Sequence, residues 1–228
     1  MFEILLLDLD DTILDFHMQE AVAIRKTLAG AGIDPTDAVC QRYSQINIEH
    51  WKRLEKGEIT RSQVLHGRFE VLFKELGVEQ ASAPIVAAYT ENLSQGHYFL
   101  PGAFEAVQAL SRKCRLFLVS NGTTSVQMRR LESAGLLPWF EGLFISQDVG
   151  VNKPGKGFFD YCFSHIPGFV PEKTMIVGDS LSSDILGGQN AGIATCWINP
   201  KHKQCTLETK PSYELESITQ LESLLETI

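Results

Sequence analysis

The stretch FEILLLDLDDTILDF, residues 2–16, sets how the rest of the chain is read. Phe2 to Asp8 is almost continuously apolar and short, the pattern of a strand buried on both faces. Four aspartates then fall within eight positions, Asp8, Asp10, Asp11 and Asp15, with no lysine or arginine nearby in sequence. Carboxylates this close repel one another. An apolar strand that ends in such a cluster calls for a compensating charge from a distant part of the chain or from a bound cation.

Four further runs read as strands of the same kind: CRLFLVSN (114–121), LFISQ (143–147), TMIVGD (174–179) and ATCWIN (194–199). Helical patterns lie between them. Phe104, Val107 and Leu110 recur at helical spacing in 103–113; Val126, Leu131 and Ala134 do so in 124–136, which ends at Gly135; 181–192 also ends at a glycine. Strand and helix in alternation predict an α/β fold, a doubly wound, Rossmann-like parallel sheet with right-handed crossovers. Residues 16–98 break this rhythm. They hold no convincing strand and read as helices at 18–32, 61–77 and 83–96, with Leu65, Phe69, Leu72, Phe73 and Leu76 as an apolar stripe. The expected organisation is a core of 1–15 and 99–228 with an inserted all-helical module, 16–98.

The chain has 228 residues, 44% of them hydrophobic, and a formal net charge of -8. An acidic balance without a basic face argues against a nucleic-acid polymer as partner. No apolar run approaches the roughly 20 residues that span a bilayer, and no basic segment followed by a long apolar one marks a signal peptide. The five cysteines are widely and irregularly spaced and form no CxxC pair. A reduced, cytoplasmic protein with no membrane partner is expected.

Ligands of parallel α/β sheets bind beyond the carboxyl ends of the strands. Those ends carry Asp8, Asp10 and Thr12; Ser120, Asn121 and Gly122; Asp148 and then Lys153; and Asp179, Ser180 and Asp184. Carboxylates, small hydroxyls and one lysine make a coherent set. Asp8, Asp10 and Asp179 can hold a hard cation such as Mg²⁺ through oxygen. Lys153, Ser120 and the N–H groups of 120–122 can hold a phosphate. One carboxylate could attack phosphorus, and a second, two residues on and facing the same way along an extended strand, could donate and accept the proton. A solvated strand end is the plain alternative for Asp8 and Asp10 taken alone. An EF-hand loop fails because its sixth position is Ile13 and a strand precedes it. GVNKPGKG (150–157) falls short of a P-loop, because it ends in Gly157 where a hydroxyl is needed. GDSL (178–181) lies too late in the chain for the serine-esterase signature of the same letters, which leaves Ser180 a neighbour of the motif.

DLDDT (8–12), VSNG (119–122), NKP (152–154) and GDSLSSD (178–184) resemble, in order, the four motifs of the haloacid dehalogenase superfamily. The resemblance implies Asp8 as nucleophile and Asp10 as general acid/base. It implies Mg²⁺ held by Asp8, the main-chain carbonyl of Asp10 and Asp179. Asp184 would support the metal or contact Lys153, and Thr12 would help hold Asp10. The inserted helices would be a mobile cap that closes over the substrate. Asp10 favours phosphate-ester hydrolysis, since the dehalogenase branch lacks it. HGRFE (66–70), NGTTSVQMRRLESAGL (121–136), VGVNKP (149–154) and DILGGQNAGIATCWIN (184–199) are similar to the bacterial pyrimidine 5'-nucleotidase branch. That similarity implies a small-molecule substrate, a pyrimidine nucleoside 5'-monophosphate, non-standard ones included, cleaved through an aspartyl-phosphate. A phosphatase of a sugar phosphate or phosphoglycolate, a phosphomutase, and a non-catalytic metabolite sensor are the alternatives.

Within the helical module His66 and Arg68 are candidates for substrate contact, against a place on the solvent face of their helix. Phe16 and Trp51 are candidates to stack on a base, against a place in the core. Asp8→Asn and Asp10→Asn are each expected to leave stability equal or higher, because each removes repulsion.

Overall fold

The computed structural model describes residues 1–228. The chain divides into two compact units, Met1–Asp15 with His97–Ile228, and Phe16–Gly96. In chain order the elements are β1 (Ile4–Leu7), α1 (Phe16–Gly30), α2 (Asp37–Glu55), α3 (Arg61–Leu76), α4 (Ser82–Ser94), α5 (Ala103–Leu110), β2 (Arg115–Ser120), α6 (Thr124–Ser133), β3 (Gly142–Ile145), α7 (Ser146–Val149), α8 (Lys156–His165), β4 (Thr174–Gly178), α9 (Leu186–Asn190), β5 (Ala194–Ile198), β6 (Tyr213–Leu215) and α10 (Leu221–Thr227). A π-helical turn, Leu181–Ile185, runs into α9.

The first unit is built on a six-stranded parallel sheet of order β3-β2-β1-β4-β5-β6. Both faces are covered, which explains the continuous apolar strands. Leu5 and Leu7 of β1 pack with Leu116, Leu118, Met175 and Val177 on one face. Ile4 and Leu6 pack with Phe117, Val119 and Ile176 on the other. Strand order reverses between β1 and β4, and at such a reversal the flanking connections diverge and open a crevice. Leu7 is in register with Leu118 and with Val177, so Ser120 and Asp179 each lie one residue further along than Asp8, and the three gather at the same edge of the sheet.

Several boundaries differ from the sequence reading. The first strand is Ile4–Leu7, shorter than 2–8. The third ends at Ile145, and Ser146–Val149 turn helical, capped at Gly150 with φ 82°. The helix expected over 181–192 starts as a π turn. The edge strand β6 was not foreseen: it is three residues long and only partly buried, so it carries no apolar run.

The second unit is four helices and no strand. Thr60 and Gln63 form a capping box at the start of α3, and Gly77 at φ 66° ends it in the left-handed conformation that costs glycine little. Its core gathers Tyr43, Phe69 and Tyr89, with ring centroids 5.1–5.5 Å apart. The buried face of α3 is Val64, Arg68, Phe69, Leu72 and Phe73, whereas Leu76, placed in the stripe from sequence, is exposed. Gln19 of α1 donates to the carbonyls of Leu93 and Gln95 at 2.9 and 3.0 Å, tying the start of this unit to its end.

Candidate active site

Asp8 follows β1 and is buried; its N–H donates to the carbonyl of Val177 on β4 at 2.9 Å. Lys153 is buried beside it. The ammonium donates to Asp8 Oδ1 at 2.8 Å, to Asp184 Oδ1 at 2.6 Å and to the carbonyl of Val119 at 2.9 Å. All three of its protons are thereby engaged. Burial works to lower the Lys153 pKa, but Asp184 and Asp8 outweigh it and hold the amine as the cation.

One ammonium does not balance the carboxylates around it. Asp8, Asp179 and Asp184 each place a carboxylate oxygen within 4.8 Å of the others. Burial pushes Asp8 up to about 8, with Asp184 and Asp10 adding to it and Lys153 opposing. Asp179 is pushed well above the usual carboxylate range, by burial first and then by Asp8, Asp184 and Asp11. The excess negative charge and the all-oxygen donor set fit a hard divalent cation. The fold enforces this crowding. A Cβ on Gly178 would meet Asp184 Oδ2 at 2.2 Å, so only glycine lets that carboxylate approach. Asp184 also accepts the N–H of Ser180 at 3.1 Å, and the indole of Trp197 on β5 donates to the carbonyl of Asp179 at 2.8 Å. Ser180 caps the π turn, its hydroxyl accepting from the Ser183 N–H at 3.2 Å.

Asp10 is placed differently from the sequence expectation. The chain does not continue as a strand past Leu7. It turns, with the N–H groups of Ile13 and Leu14 both donating to the carbonyl of Leu9 at 2.9 Å, and Asp11 takes a positive φ of 57°, a conformation aspartate tolerates better than most side chains. Asp8 and Asp10 still feel each other's charge, but the turn brings this about rather than strand geometry. The Asp10 carboxylate is held from α6. Its Oδ1 accepts from Arg130 Nη1 at 2.5 Å, and its Oδ2 accepts from Gln127 Nε2 at 2.7 Å. Thr12, expected to hold Asp10, does not: it is fully buried, and its hydroxyl has no hydrogen-bond partner. Gln127 and Arg130 were missed from sequence. The available signal is that 127, 130, 131 and 134 fall at i, i+3, i+4 and i+7, a core-facing face in which two positions are polar.

At the end of β2, the buried Ser120 Oγ accepts from the Gly122 N–H at 3.1 Å and from Gln127 Nε2 at 2.9 Å. The Asn121 side chain is committed elsewhere than to a phosphate: it accepts the Lys153 N–H at 2.8 Å and donates to the Lys153 carbonyl at 2.9 Å. Asn121 thus clamps the backbone that carries the lysine.

Among the candidates of the helical unit, Phe16 is the first residue of α1 and partly buried. Trp51 is partly buried with the Arg61 guanidinium 5.6 Å from its ring centroid. His66 lines a cavity of about 470 Å³ within this unit, and its Nδ1 lies 3.1 Å from the Ser82 hydroxyl. Arg68 lies on no solvent face. It is 3% exposed, donates to Asn47 Oδ1 at 2.7 Å and sits 4.7 Å from the ring centroid of Tyr89. Asn47 in turn donates to the buried Glu20 at 2.6 Å. Arg68 therefore serves the core of its unit, where Glu20 supplies the opposite charge.

A sheet with an acidic crevice at its reversal point, a buried lysine among aspartates and a carboxylate held from the neighbouring helix define a hydrolase site, and the chain belongs to the haloacid dehalogenase-like hydrolases, whose family model matches residues 2–192. Pyrimidine 5'-nucleotidase PynA of Streptococcus pneumoniae is 37% identical, over 96% of this chain and 93% of its own. Pyrimidine 5'-nucleotidase YjjG of Escherichia coli is 33% identical, over 96% and 95%. The crystal structure of the HAD-hydrolase YfnB of Bacillus subtilis, bound to magnesium, superposes with a TM-score of 0.94 at 41% identity, over 98% of each chain.

Proposed function

We propose that this hydrolase is a Mg²⁺-dependent phosphomonoesterase that releases phosphate from pyrimidine nucleoside 5'-monophosphates, non-standard ones included. The observation that carries the chemistry is Asp8, buried at the reversal point of the sheet against Lys153 and within 4.8 Å of carboxylate oxygens of Asp179 and Asp184, with Asp10 near enough to add its charge. The relatives PynA and YjjG support the substrate class. Magnesium in YfnB supports the metal.

In this reading Asp8 and Asp179, with the main-chain carbonyl of Asp10, hold the cation, and Asp184 lies against them. When bound, the cation offsets the repulsion between carboxylates and an incoming phosphate. An oxygen of Asp8 forms a bond to phosphorus as the ester P–O bond breaks. Asp10 gives its proton to the departing oxygen. A water then attacks phosphorus, Asp10 takes its proton, and phosphate leaves with Asp8 restored. Lys153 and Ser120 hold phosphate oxygens; for Lys153 this means exchanging one of its present acceptors. The backbone N–H of Asn121 completes the set, while that of Gly122 stays on Ser120 Oγ. The same proposal assigns catalysis to the sheet-bearing unit, the role of cap to the helical one, and substrate contact to Phe16, Trp51 and His66.

No helix is long and apolar enough to cross a membrane. All five cysteines are free thiols, which supports a reducing compartment, the cytoplasm.

The test is phosphate release from dUMP, UMP and TMP against sugar phosphates and phosphoglycolate, with Mg²⁺ and with EDTA. Preference for the pyrimidine nucleotides, abolished by EDTA, is expected. Preference for a sugar phosphate would overturn the substrate assignment, and full activity in EDTA would overturn the metal.

A further inference from the structure

Resting on the phosphomonoesterase reading, we propose that Arg130 and Gln127 are positioning residues for Asp10, and that Gln127 links Asp10 to the Ser120 hydroxyl. Asp10 sits in a turn, its side chain 27% exposed, and the nearby Thr12 hydroxyl gives it no hydrogen bond. Its orientation comes from α6, 117 and 120 residues away. Arg130 and Gln127 each take one carboxylate oxygen, so the carboxylate cannot rotate without breaking a contact to a buried donor.

Gln127 has the more specific part. It is 1% exposed, and its amide is oriented by three contacts. Nε2 donates to Asp10 Oδ2 at 2.7 Å and to Ser120 Oγ at 2.9 Å, while Oε1 accepts from Arg130 Nη1 at 2.9 Å. Ser120 Oγ then accepts twice, from Gln127 and from the Gly122 N–H. With both lone pairs used, a serine hydroxyl retains its O–H as donor. That donor suits an anionic oxygen, and Gln127 places it in fixed relation to the group that moves the proton. Gly122 makes the room: a Cβ there would come within 2.5 Å of Gln127 Nε2. Arg130 has no solvent exposure. A charge so buried needs a fixed partner, and the partner here is the proton-transfer group.

The experiment uses the leaving group to separate positioning from packing. A nucleoside 5'-oxygen needs a proton to depart, whereas 4-nitrophenolate leaves without one. kcat/KM reports the steps through the first phosphoryl transfer, so it senses this difference even if a later step limits kcat. Arg130→Met, Arg130→Lys, Gln127→Met and the reference Asp10→Asn are measured on dUMP and on 4-nitrophenyl phosphate, with Mg²⁺. For Gln127→Met and Arg130→Met, kcat/KM on dUMP is expected to fall about 10²–10³-fold, and on 4-nitrophenyl phosphate less than about tenfold. Arg130→Lys is expected to recover part of the loss on dUMP. Equal losses on both esters, or no loss on either, would overturn the inference. If Arg130→Met does not fold, Gln127→Met decides, since it removes no charge. A wild-type protein that cleaves neither ester would overturn the phosphomonoesterase reading and this inference with it; a wild type that cleaves both, with equal losses in the variants, would overturn the inference alone.

Discussion

Arg130, with no solvent exposure, holds the Asp10 carboxylate at 2.5 Å from a helix 120 residues further along the chain. The repulsion expected from sequence is present, since Asp10 helps to raise Asp8, but Arg130 gives the same carboxylate a buried partner that the sequence reading did not count. Asp10→Asn leaves Arg130 a buried charge with its closest counter-ion neutralised. We expect turnover to be lost and stability to fall by up to about 3–5 kcal/mol, the range for breaking a buried pair from one side. Urea unfolding of the metal-free variant measures it.

Asp8→Asn is expected to behave differently. Burial first, and Asp184 and Asp10 after it, push Asp8 up to about 8, so the metal-free fold already disfavours its charged form and a neutral amide there costs little. Lys153 keeps Asp184 at 2.6 Å and the Val119 carbonyl. Turnover should vanish while the urea midpoint stays level or rises, the change lying within about 1 kcal/mol. A midpoint well below wild type would show that the Asp8–Lys153 contact outweighs the crowding.

Adding Mg²⁺ is expected to raise the melting temperature and EDTA to reverse the rise, because a ligand that binds only the folded state stabilises it, by about 2.7 kcal/mol at a hundredfold excess over Kd. Asp179→Asn should abolish the shift without lowering the EDTA baseline. A shift that survives the substitution would place the cation elsewhere.

Gly178→Ala puts a methyl group 2.2 Å from Asp184 Oδ2. Asp184 must then move and loosen Lys153. The expected cost is about 1–3 kcal/mol, with a fall in kcat, checked by thermal melts and phosphate release. Gly135→Ala is the contrast: no atom lies within 4 Å of its Cβ position, and its φ of +64° makes any penalty conformational, so kcat should hold.

Arg68→Met tests the core role of that residue. Removing the guanidinium leaves Glu20 without its relay through Asn47. Stability should fall by several kcal/mol, about 3–5, while KM measured below the transition stays at the wild-type value. A raised KM at unchanged stability would return Arg68 to the substrate.

The strand ends were legible because burial of both sheet faces writes itself locally, as four or five consecutive apolar residues, and the chemistry follows within a residue or two. Asp8, Ser120 and Asp179 could be placed that way. The turn after Leu7 could not, since a local hydrogen-bond pattern around the Leu9 carbonyl ends the strand geometry and no residue type announces it. Arg68 was misplaced for a related reason: helical spacing says which face a side chain shares, but only packing shows that Tyr89 and Asn47 make an arginine acceptable there.

The sequence alone determined the α/β class, the helical insertion and the set of carboxylates and lysine, because hydrophobic periodicity and motif order are properties of neighbours along the chain. Tertiary structure decided which partner each charge has. Lys153 lies between Asp8 and Asp184, Asn121 grips the lysine backbone, and Arg130 with Gln127 takes Asp10. Electrostatic pairing depends on distance and burial in space, and contacts across 31 to 145 residues are fixed only when the sheet brings its strand ends to one edge.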